Sequence, residues 1–108
     1  TEAYQSSVRA TELGPAFSPA WTNASLLELR AGALGRAARS IERAEKLGDR
    51  SVTLQSARAF LEIQRGRTLM GKDILRGALE RDRELVNRLM EENRRRLEIG
   101  RKEPVGGP

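Results

Sequence analysis

Apolar positions recur along this chain at helical spacing, in stretches closed by glycine or opened by a capping side chain. Ala20, Trp21, Ala24, Leu27 and Ala31 form one stripe, which predicts a helix from about 18 to 30. Ser18 is the expected N-cap, Pro19 the first helical residue and Gly32 the left-handed C-cap. A second helix over about 33–47 carries Leu34, Ala37, Ala38, Ile41, Ala44 and Leu47 on one face. Arg36, Arg39, Glu42, Arg43 and Lys46 fall on the other, and Gly48 ends it. Asp49 or Ser51 caps the third, which runs to about Arg65 through Leu54, Ala57, Ala59, Phe60, Leu61 and Ile63 and closes at Gly66. A fourth covers about 67–81, where the internal Gly71 and Gly77 are expected to permit close packing between helices. Asp82 caps a last helix over about 83–99, with Leu85, Val86, Leu89, Met90, Leu97 and Ile99 as its apolar positions.

Before these, Tyr4, Val8, Ala10 and Leu13 predict a helix over 3–13, stopped by Gly14-Pro15. The chain thus starts inside a helix with no partner helix ahead of it, which points to a piece of a longer chain. The expected organisation is one all-α domain of five to six helices over residues 1–100. A disordered tail over 101–108 follows, rich in proline and glycine.

The helices are not independent. Leu27-Glu28-Leu29 and Gly32 recur 34 residues later as Leu61-Glu62-Ile63 and Gly66, and Ile41 and Ala44 recur as Leu75 and Ala78. That period is the length of one antiparallel helix pair in a helical solenoid. Such a pair cannot bury its apolar face alone and stacks on a neighbour.

With this spacing, the stretch SPAWTNASLLELRAG resembles the first helix of a tetratricopeptide repeat. Trp21 stands at the family's tryptophan and Gly32 at its inter-helix glycine. Ala37, Ile41 and Ala44 match the small, bulky and small residues of the second helix, and Ala10, Leu13 and Pro15 look like the close of a preceding unit. The second unit departs from the pattern, with Gln55 in place of the tryptophan, Gly71 of the alanine and Arg81 opposite Leu47, and in both units a glutamate, Glu28 or Glu62, sits where tyrosine is common. The resemblance implies an antiparallel helix-hairpin array of about two repeats plus a capping helix. Its first helices would line a concave groove that receives a peptide or a helix. The groove residues would be Thr22, Leu26, Leu29 and Arg30, then Ser56, Phe60, Ile63 and Gln64. The alternative for the same side chains is ordinary packing against neighbouring helices.

Composition narrows the chemistry. The chain has no cysteine and no histidine, which removes thiol nucleophiles, the commonest general base and most zinc, copper and haem ligand sets. No nucleophile–base pair or glycine-rich phosphate loop accompanies its carboxylates, so no catalytic residue, metal site or cofactor is assigned. No apolar run is long enough to span a bilayer and no signal peptide is visible, so a cytoplasmic location is expected.

Net charge is +5, all of it from the second half. The rival reading is therefore a basic helical domain contacting nucleic acid through residues 50–102. Arg94, Arg95 and Arg96 invite it, but consecutive helical residues point about 100° apart and Glu91, Glu92 and Glu98 are placed to pair with them. The expected function is a non-catalytic protein–protein interaction scaffold with a protein or peptide partner. A homodimer that covers the exposed flank of helix 3–13 is a further expectation.

Overall fold

The structure is a computed structural model that describes residues 17–102. Those residues form five helices and no strand: α1 Ser18–Ala31, α2 Leu34–Lys46, α3 Val52–Gln64, α4 Thr68–Arg81 and α5 Arg83–Lys102. The expected helix over 3–13 and the tail beyond Lys102 lie outside the described residues.

Three of the four junctions turn on glycine. Gly32, Gly48 and Gly66 have φ of 78°, 90° and 93°, a region that Cβ makes costly for other residues. At Gly32 the amide donates to Leu29 O, and Ala33 N to Glu28 O, closing α1 as the sequence predicts. Ser51 caps α3 by accepting from Leu54 N at 3.1 Å, while Asp49 Oδ1 accepts from Ser51 N at 2.7 Å. The start of α1 differs by one residue from expectation. Phe17 is its N-cap, with an extended backbone and no side-chain cap, and Ser18 is already helical.

α1 packs on α2 and α3 on α4 as two hairpins, with further contacts joining α2 to α3 and α1 to α3. Small residues set the spacing. Ala37, Ala44, Ala57, Ala59 and Ala78 are fully buried, interleaved with Ile41, Leu61 and Leu75. At Gly71 α4 lies close against α3: a Cβ there would stand 2.8 Å from Ala59 O and 2.5 Å from Ile63 Cγ1. Positions 34 apart share their surroundings. Ala37 and Gly71, Ile41 and Leu75, Ala44 and Ala78, and Glu28 and Glu62 are buried in both members of each pair.

α5 runs past its expected end at 99 to Lys102. It lies mainly over α3 and α4 and also reaches α1. Val86 is fully buried and Leu89 nearly so, in one apolar cluster with Leu26, Leu29, Phe60 and Leu61.

Candidate partner-binding groove

Around α3, each direction can be assigned from its contacts. Ala59 and Ile63 meet Gly71 of α4, and Arg58 reaches back to Glu45 of α2 at 2.6 Å. At about 100° per residue, Ser56, Phe60 and Gln64 form a stripe opposite Arg58 and bordering Ile63, and Phe60 shares one buried apolar cluster with Val86 and Leu89 of α5 and with Leu26 and Leu29 of α1. This is the concave side expected of the first helices. α5 is seated on it, and Arg30 of α1 pairs with Glu92 of α5 at 3.1 Å.

That seating corrects the accessibility expected of the groove residues. Thr22, Leu26, Leu29, Ser56, Phe60 and Ile63 are buried, Gln64 is half-buried, and Arg30 alone of the eight is exposed. Leu26 and Phe60 belong to the core of the folded chain. Ile63 faces Gly71 inside its own hairpin. Thr22 donates to Asp49 Oδ2 at 2.6 Å, which ties α1 to the loop before α3. Asp49 is consequently perturbed. Partial burial pulls its carboxyl up, but hydrogen bonds from Thr22 and Ser51 and the charge of Arg50 outweigh that and hold it below its ordinary value of 3.8.

Ser56 Oγ, Gln64 Nε2 and Asn93 Oδ1 are buried without a hydrogen-bond partner, at a cost of about 1–3 kcal/mol for each such group. Asn93 stands on the buried stripe of α5 and spends its Nδ2 on Leu89 O at 2.9 Å.

Several charged side chains elsewhere are engaged with one another. Glu62 is 2% exposed and accepts from Arg65 at 3.3 Å and Arg67 at 3.1 Å, with Arg58 at 3.9 Å. Its counterpart Glu28 is buried and accepts from Ser40 Oγ at 2.6 Å. The hydrogen bonds that Arg58 donates to the Glu45 carboxylate raise its pKa further, against the pull of its partial burial. Between α2, α3 and α4 lies an open depression of about 500 Å³. Its arginines are already held: Arg58 by Glu45, and Arg81 by Gln55 Oε1 and the Arg50 carbonyl. Arg76 pairs with Asp73 and Arg94 with Glu91. Among the described residues no group of acids could hold a metal ion, and no helix is long and apolar enough to cross a membrane.

Sequence reasoning missed that the last helix covers the concave side, and it missed the arginine cluster on Glu62. The second had a signal, since Arg58 and Arg65 stand four before and three after Glu62. No family model, curated protein or solved structure matches this chain.

Proposed function

We propose that this chain is a non-catalytic protein-interaction module of tetratricopeptide-repeat type, whose groove takes an amphipathic helix from a partner. The observation that carries this reading is α5 itself, a helix lying across α3 and onto α1. Its Val86, Leu89 and Asn93 face inward and Glu92 meets Arg30. A partner helix with apolar residues at the same spacing and an acid at the Glu92 position would compete for that seat. The matched burial of positions 34 apart, together with the αL glycines at Gly32 and Gly66, supports the repeat assignment.

A fluorescent peptide spanning residues 83–102 tests this reading, titrated into the chain at about 50 and 200 mM salt beside a labelled oligonucleotide. The expected result is saturable peptide binding that changes little with salt and weakens in Arg30→Glu. Oligonucleotide binding that collapses with salt, with no peptide binding, would instead favour the nucleic-acid reading.

A further inference from the structure

The junction between α4 and α5 is unlike the other three. It is a single residue, Asp82, with φ −157° and ψ 89°. No glycine or proline lies between Ala78 and Asn93. Residues 80–84 are all exposed, so the bend itself is unpacked and only the seating of α5 beyond it holds it from outside. Helical hydrogen bonds already reach Asp82 from both sides: its amide donates to Ala78 O and its carbonyl accepts from Val86 N. The local hold on the break is the Asp82 side chain, whose Oδ1 accepts from Leu85 N at 3.1 Å. Rotation of this one residue into the helical region would join α4 and α5 into one helix from Thr68 to Lys102, about 50 Å long. The amides of 83, 84 and 85 would then find the carbonyls of 79, 80 and 81.

Straightening alone would strip α5 from its seat and expose Val86 and Leu89, which are buried. A second copy removes that penalty. We propose that two copies of this chain exchange α5 through a straightened Asp82, each seating its last helix in the other's groove. The exchanged dimer keeps every contact between α5 and the groove that the monomer has, including Arg30 with Glu92, now between chains. Only the hinge and the entropy of association differ, so the balance depends on concentration and on Asp82. The inference rests on the seating of α5 and holds whatever partner the groove serves.

Light scattering from about 10 μM to 1 mM, run on the full chain and two hinge variants, tests this. Asp82→Ala removes the cap and favours continuation. With two hinges per dimer it strengthens association by about thirtyfold. Arg83→Pro fixes the break, because proline suits the first helical turn and disfavours a helical residue before it. It should abolish the dimer with helicity retained by circular dichroism. If Arg83→Pro loses helicity, Asp82→Ala decides alone. A second arm mixes chains carrying Arg30→Cys with chains carrying Glu92→Cys and adds a short bismaleimide. Exchange yields a covalent dimer linking positions 30 and 92 of different chains. An Asp82→Ala chain that stays monomeric at about 1 mM overturns the proposal, and so does a dimer without that link.

Discussion

Gly71→Ala and Gly77→Ala place the same methyl group on the same helix and should move stability in opposite directions. Either substitution relieves about 1 kcal/mol of helix propensity cost. At Gly71 the new Cβ would lie 2.8 Å from Ala59 O and 2.5 Å from Ile63 Cγ1. The first of these is backbone of α3 and cannot rotate away, so α3 and α4 must separate by several tenths of an ångström. Overpacking of this kind costs about 1–3 kcal/mol and more against rigid backbone. The net expectation is a loss of about 1–2 kcal/mol. At Gly77 the nearest atom is Gln55 Nε2 at 3.0 Å, the far end of a flexible side chain in a long hydrogen bond of 3.4 Å to Ile74 O. It can shift by a few tenths of an ångström, but its Oε1 also accepts from Arg81 at 2.8 Å, so the propensity gain is partly offset and stability should hold or rise by less than about 1 kcal/mol. Urea unfolding followed at 222 nm measures both, provided the m-values agree. Equal effects from the two substitutions, or Gly71→Ala at least as stable as the parent, would refute the close approach of α4 to α3.

Phe60→Ala and Leu26→Ala should destabilise rather than spare the fold, Phe60→Ala by about 3–5 kcal/mol, read as a fall in thermal midpoint. Such a loss is a large share of the about 5–15 kcal/mol that holds a typical domain together. Glu62→Gln leaves Arg65 and Arg67 facing a weaker acceptor at a buried position and should cost about 2 kcal/mol by the same urea assay. Asp49 is held below its unfolded value, so its contribution is complete above about pH 4 and disappears as pH falls through the folded value. Thr22→Val removes the hydrogen bond at 2.6 Å. The acid limb of a stability–pH profile should therefore flatten in that variant.

The helix boundaries were legible because local chemistry sets them. Gly32, Gly48 and Gly66 take the left-handed turns, and Ser51 and Asp82 accept capping hydrogen bonds from backbone amides, each readable within a few residues. The core of the two hairpins was legible as well, since Ala37, Ile41 and Ala44 are buried where helical periodicity puts them. The fate of Leu26 and Phe60 was not. An apolar residue off the main stripe looks the same whether it lines an open groove or waits for a later helix. Only the return of α5 across the fold decides between them. The reach of Thr22 to Asp49, 27 residues away, was hidden for the same reason: it depends on how two hairpins stack.

The seat of α5 on the concave face is the point on which the fold and the proposed function meet. The double variant Arg30→Cys, Glu92→Cys tests it at micromolar concentration, in a chain with no other cysteine. Treatment with a short bismaleimide and peptide mapping should give a monomer cross-linked between positions 30 and 92. Cysteines that are each capped singly, with no link between them, would show that the last helix lies elsewhere and would contradict the account.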